Sequence, residues 1–224
     1  MSLKNLVEDS AWLFDFSFPV FRFDTDADPR KPNQWSLDDA YRLPELHALS
    51  QPDRMHEAKL AWSELGIFFE IEYPKAASKF GPRDTGETLV HFLVDTRGST
   101  GIHRANTYCH LFQFRSDVPP GATANNVRME SRLVPITRAK SSPRPIDDRD
   151  LWGWYTATDR RVHLKVFLAG DALTGFNPTD FPELGIYFYA LDSQYRRHSI
   201  ARLSHTIPLD DPSLWCRAKL VVQD

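Results

Sequence analysis

The strongest constraint in this sequence is its rhythm. Between sixteen prolines and ten glycines, apolar residues recur at every second position rather than every third or fourth. Side chains of an extended strand point alternately to opposite faces, so this period reads as half-buried β-strands, and the closely spaced turn formers leave no helix of ordinary length. Ile67, Phe69, Ile71 and Tyr73 share one face against Phe68, Glu70 and Glu72. Val90, Phe92 and Val94 oppose His91, Leu93 and Asp95, and Tyr108, His110, Phe112 and Phe114 oppose Cys109, Leu111 and Gln113. Val162, Leu164, Val166 and Leu168 oppose His163, Lys165 and Phe167.

Weaker patterns complete the set. Phe14, Phe16 and Phe18 alternate before Pro19, and Ala58–Trp62 is the expected hairpin partner of the strand after Leu65-Gly66. Arg128–Thr137 reads as a strand whose inner face the pattern does not assign, and Trp152–Thr156, Gly185–Asp192, roughly His198–Ser204 and Leu214–Val222 follow. Gly170–Thr174 allows a single helical turn, stopped at Gly175. The run RAKSSPRPIDDRD lacks periodicity and is expected to be an exposed internal loop over 138–150. About ten strands without a helix specify an all-β, antiparallel two-sheet β-sandwich of jelly-roll-like type. At 224 residues it is expected to be one domain, with a strand and loop over 1–40 at its start.

Composition narrows the function by exclusion. With 27 Lys and Arg against 30 Asp and Glu, a net charge of −3 attracts neither nucleic acid nor anionic membrane, and no apolar run is long enough to span a bilayer. Glu8 and Asp9 interrupt the N-terminus where a secretory signal would be apolar, so a cytoplasmic location is the simplest expectation. Cys109 and Cys216 form no CxxC motif and read as reduced thiols. Nucleotide-binding glycine loops, a GxSxG elbow and an HExxH motif are all missing. Asp24, Asp26 and Asp28 imitate the first half of an EF-hand, but Pro29 stands at the glycine position and Trp35 at the bidentate glutamate position. They read first as a solvated acidic turn and second as a looser structural calcium loop.

Three groups of residues carry candidate chemistry. The strand–loop–strand VDTRGSTGIHRANTYCH brings Asp95, Arg97, His103, Arg104, Tyr108, Cys109 and His110 close in sequence. A carboxylate, a guanidinium and an imidazole converging there would grip sugar hydroxyls or a small anion, whereas a satisfied histidine and a loop-fixing Asp–Arg pair would be purely structural. Trp152 and Trp154 flank Gly153 and face the same way about 7 Å apart, near the length of a pyranose ring. They are either a stacking platform or core aromatics. The third group is the side opposite the core on several strands: Glu70 and Glu72, His91 and Asp95, His163 and Lys165, Tyr187 and Tyr189. If those strands are neighbours, the face is a polar concavity able to bind a soluble ligand. Glu70 and Glu72, on one face of one strand, are poorly placed to flank a glycosidic bond, so glycosidase chemistry is not supported.

Two longer segments, FLVDTRGSTGIHRANTYCHLFQF from Phe92 and VFLAGDALTGFNPTDFPELGIYFYALD from Val166, together with DPSLW at Asp211–Trp215, resemble a bacterial group of proteins built on a domain similar to family 9 carbohydrate-binding modules, a DOMON-like β-sandwich. The resemblance implies a sandwich that holds sugars between aromatic side chains and often carries structural calcium, with Trp152 and Trp154 as stacking candidates.

The expected function is a non-catalytic binding protein for a saccharide or small polar ligand. Its expected ligand-binding residues are Asp95, Arg97, His103, Arg104, His110, Trp152 and Trp154. The alternative is a metal-dependent protein or enzyme that uses Asp95, His103 and His110. A third reading, a partner-binding structural domain, would show an exposed apolar patch.

Overall fold

The computed structural model describes residues 17–44, 57–75, 88–99, 101–119, 122–191, 197–199 and 209–222. In chain order the strands are β1 (Ser17–Phe21), β2 (Glu57–Ser63), β3 (Gly66–Pro74), β4 (Thr88–Asp95), β5 (Cys109–Ser116), β6 (Ala124–Arg128), β7 (Glu130–Leu133), β8 (Leu151–Ala157), β9 (Arg161–Ala169), β10 (Glu183–Leu191), β11 (Arg197–Ser199) and β12 (Cys216–Val221). The helical elements among the described residues are single 3-10 turns, one of them at Gly170–Ala172, where the sequence predicts a helical turn.

The strands form two sheets. One runs β1-β12-β10-β4-β5-β7, with β11 also pairing with β10, and the other runs β2-β3-β9-β8-β6. Pairing is antiparallel except for β1 against β12, which are parallel; these strands lie far apart in the chain, so no short hairpin forces them antiparallel. Pro19 sits in β1 at the edge of its sheet, where a missing N–H is tolerated. Of the weak strand expected over Arg128–Thr137, Glu130–Leu133 is extended as β7; Arg128 ends β6, which precedes it, is unexpected from the sequence, and belongs to the other sheet.

The two inner faces meet in a core of aromatic and branched side chains. Phe69 of β3 lies 5.0 Å from Phe92 of β4 and 4.4 Å from Phe188 of β10, ring centre to ring centre. Ile67, Ile71, Tyr73, Val90, Val94, Phe112, Phe114, Leu164 and Val166 fill the rest, as the period-two pattern predicts.

A second apolar cluster lies on the outer face of the five-stranded sheet. Phe68, Phe167 and Trp154 are covered there by Trp35 and Leu37, with Phe23, Tyr41 and Trp152 at the margin. The covering segment is tied to the β2 edge at both ends: the Phe23 N–H donates to Trp62 O at 2.7 Å and the Leu43 N–H to Ala58 O at 2.8 Å. Between these anchors residues 23–42 lap over the sheet, and the candidate site lies under this lap.

Candidate ligand-binding site

Charged side chains hold the lap in place. Glu70 of β3 and Lys165 of β9 are register partners, with Oε1 and Nζ 3.4 Å apart and both nearly sealed from solvent. Lys165 donates to Pro32 O at 2.9 Å and also to Trp35 O, so one ammonium satisfies two loop carbonyls. Glu70 accepts the Leu37 N–H at 3.1 Å, and Lys59 donates to Leu37 O at 2.9 Å. His163 Nε2 donates to the second Glu70 oxygen at 3.3 Å. Burial opposes the Glu70 charge, but the His163 hydrogen bond, the Lys165 charge and the Leu37 N–H outweigh it and hold the carboxyl below its ordinary value.

Beside this network is a pocket of about 480 Å³ lined by Asn33, Trp35, Asn125, Asn126, Thr156 and His163, among others. Its volume is within the usual range of small-molecule sites. Asn126 has a φ of 49°, in the left-handed region that asparagine tolerates better than most residues, and the register of β6 against β8 shifts between Ala124 and Val127. This bulge brings the Asn126 N–H to Thr156 Oγ1 at 3.0 Å and its amide nitrogen to Asn33 Oδ1. Amides, a hydroxyl, an imidazole and an indole therefore share one wall, giving both donors and acceptors to a hydroxyl-bearing ligand.

Further along β8, Trp152 and Trp154 face outward together, with ring centres 5.9 Å apart and planes 25° from parallel. Trp154 is buried against Trp35, and Trp152 stays half-buried. The Arg128 guanidinium lies 4.0 Å from the Trp152 ring centre and 5.5 Å from that of Trp154, and Arg30 lies 5.9 Å from Trp152.

The β4–β5 hairpin does not bring its polar residues to one point. Asp95 pairs with Cys109 and His110 with Val94, so alternation puts Asp95 and His110 on opposite faces of the sheet. Asp95 accepts the backbone N–H groups of Arg97 at 3.0 Å and Ser99 at 2.8 Å, shaping the loop; burial nonetheless raises its carboxyl above the ordinary value. His110 is fully buried in the core, where Nε2 accepts the Thr174 N–H at 2.9 Å and burial pushes the imidazole down to about 4. Arg97 lies between the rings of Tyr108 and Phe181 and donates to Gly175 O at 3.0 Å. His103 is exposed beside Ser213 and Asp211, and Arg104 donates to Arg138 O. Among the described residues no three His, Cys, Asp or Glu side chains converge as a metal site. In the acidic turn, Asp24 pairs with Arg22, and Asp28 caps the Arg30 N–H.

No protein-family model matches the chain, and no curated protein matches it in sequence. Among solved structures it is similar to a family 9 carbohydrate-binding module from Caldicellulosiruptor kristjanssonii in complex with cellotriose, with a TM-score of 0.55, 12% identity, and coverage of 93% of this chain and 95% of that one. The module in complex with glucose matches at 0.55 and 13% identity, over 93% and 97% of the two chains. The chain has the fold of family 9 carbohydrate-binding modules.

Within this family 9-type sandwich, the outward residues singled out from sequence divide between two faces. Glu70, Glu72, His163 and Lys165 lie together on β3 and β9, and of these His163 and Lys165 line the pocket. His91, Asp95, Tyr187 and Tyr189 lie on β4 and β10 of the other sheet, where His91 stacks on Tyr189 with centres 4.6 Å apart. Arg132 fixes the Gln113 amide at 2.7 Å, so that Gln113 donates to His91 Nε2 at 2.9 Å. Asn33, Asn125, Asn126 and Thr156 escape sequence reading because scattered polar residues carry no period; the adjacent asparagines in a strand context are the one local hint.

Proposed function

We propose that this protein is a non-catalytic saccharide-binding module whose ligand enters the pocket between the 32–36 loop and β6. The observation that carries this reading is the pocket wall itself: the Asn125 and Asn126 amides, the Thr156 hydroxyl, the His163 imidazole and the Trp35 indole, converging on about 480 Å³. Sugar hydroxyls both donate and accept, and amides and imidazoles match them in either role. The neighbours with the same fold are complexes with cellotriose and glucose, which supports the ligand class. Trp152 lies at the margin of the same face, with its indole covered by the Arg128 guanidinium at 4.0 Å.

Isothermal titration against neutral and acidic mono- and oligosaccharides tests the reading. Binding by the wild type, weakened about tenfold in Asn125→Ala and in Thr156→Val while both stay folded, is the expected outcome. Absence of binding across the panel, or binding indifferent to both substitutions, would remove the pocket from consideration.

A further inference from the structure

Building on the saccharide reading, we propose that the ligand is an acidic saccharide, bearing a carboxylate or a sulfate, and that Arg30 and Arg128 receive its anionic group where their guanidiniums converge on Trp152. Three observations carry this assignment.

First, the Trp152 indole is already occupied by cations. Arg128 covers it at 4.0 Å and Arg30 approaches at 5.9 Å, so a neutral sugar ring reaches that surface only by displacing a guanidinium. A stacked guanidinium keeps its in-plane N–H groups directed outward, the geometry that binds a carboxylate or sulfate in bidentate fashion.

Second, these charges have no internal counterion. Arg22, Arg115, Arg149 and Arg161 pair with Asp or Glu side chains, but among the described residues neither Arg30 nor Arg128 forms an ion pair. Arg128 donates one nitrogen to Leu151 O, which fixes its pose without neutralising it. The acids nearest in sequence face other groups: Asp28 is turned to the Arg30 backbone N–H at 3.0 Å and to the Lys31 ammonium at 3.8 Å, and Glu130, beside Arg128, lies 3.5 Å from Arg115. Both arginines are exposed, so an anion reaches them from solvent.

Third, the cationic patch and the pocket share walls. Strand β6 supplies Asn125 and Asn126 to the pocket and Arg128 to the indole. The lap supplies Asn33 and Trp35 to the pocket and Arg30 to the indole, and the Asn126–Asn33 hydrogen bond joins the two. A sugar ring in the pocket with an anionic substituent or neighbouring residue toward Trp152 would use both.

The test is titration of the protein at low ionic strength with glucose, glucuronate and glucose 6-sulfate. The acidic forms are expected to bind about ten- to a hundredfold tighter than glucose, and the advantage to shrink with added salt. In Arg30→Gln/Arg128→Gln the advantage should vanish; Arg30→Gln alone, a change of one exposed side chain, should reduce it. Glucuronate against glucose 6-sulfate distinguishes a carboxylate ligand from a sulfated one. Glucose binding as tightly as both acids would overturn the inference and leave the saccharide reading intact, as would an acid preference that survives the double substitution. No binding by any of the three overturns the inference, and extending that silence to the full neutral panel overturns the saccharide reading as well.

Discussion

Lys165 is bound to the lap more closely than to its partner Glu70: its Nζ lies 2.9 Å from Pro32 O, against 3.4 Å from the Glu70 carboxylate. The two charges thus act jointly as a clamp. Among the described residues segment 32–37 pairs with no strand as it runs over the sheet face, and its inward polar groups need partners. Lys165 takes the Pro32 and Trp35 carbonyls, Glu70 takes the Leu37 N–H, and Lys59 takes the Leu37 carbonyl. Seating this backbone seats Trp35 between Phe68 and Trp154, with ring centres at 5.2 and 6.4 Å, and Trp35 is one wall of the pocket.

Replacing Lys165 with Met should therefore be costly in a specific way. It strands a buried carboxylate and two carbonyls, at about 3 kcal/mol by urea unfolding. Trp35 should become accessible to acrylamide while the far-UV circular dichroism stays that of the sandwich. Lys165→Met/Glu70→Gln should recover part of the loss, since the stranded charge is gone. A single-variant loss below about 1 kcal/mol, with Trp35 still protected, would mean that the aromatic cluster seats the lap without the clamp.

Stability should fall with pH in two separate windows. His91 and His110 are held by burial at about 4, against 6.5 in an unfolded chain. Between those values the unfolded state binds more protons, so acidification from about 6.5 to about 4 destabilises the fold, by about 3 kcal/mol for each imidazole. Glu70 works lower: its depressed carboxyl contributes stability above about 4.5, lost as pH falls through the folded value. Urea unfolding at pH 7, 6, 5 and 4 measures the first window, and His110→Gln should flatten about half of its slope. A constant unfolding free energy from pH 7 to 5 would contradict the burial of both rings.

Legibility in the sequence followed locality. The core faces of β3, β4 and β9 were readable because a period of two needs only neighbouring residues, and Ile67, Val90 and Leu164 all point inward as that period requires. The split of the polar faces between two sheets was not readable, since strand order is a tertiary property. Nor was the lap: Lys165 meets Pro32 across more than a hundred residues, and its only sequence trace is Phe68 and Phe167 on otherwise polar faces. Asp95 and His110 looked convergent because they bracket one hairpin, but convergence depends on register, which pairs Asp95 with Cys109. Strand β6 was hidden for a physical reason as well: an edge strand exposed along much of its length needs few apolar residues, and ANNVR has few.

Gly153 separates the two outward indoles while its own position faces the core. A Cβ there would stand 2.6 Å from Phe114 Cδ1 and 3.3 Å from Met129 Cβ, in a packed layer between the sheets. Gly153→Ala should destabilise the protein by about 1–3 kcal/mol through overpacking. The companion change Phe114→Leu, which frees space at the contact, should cost less in the Gly153→Ala background than in the wild type. Additive losses in this thermodynamic cycle would show that the alanine is accommodated away from Phe114.

Asn126 combines a backbone role and a side-chain role that two substitutions separate. Its φ of 49° is costly for most residues, while its side-chain amide nitrogen donates to Asn33 and its side-chain amide oxygen accepts the Thr156 hydroxyl at 3.2 Å. Asn126→Gly keeps the left-handed backbone and removes only the amide, so unfolding stability should change by less than about 1 kcal/mol. Asn126→Ala loses both, and should cost about 1 kcal/mol more than the glycine variant. Saccharide affinity should fall by a similar factor in the two, because each deletes the same pocket amide and its bond to the lap. If Asn126→Gly instead binds like wild type while Asn126→Ala does not, the bulge geometry of β6, and not the amide of Asn126, is what the ligand requires.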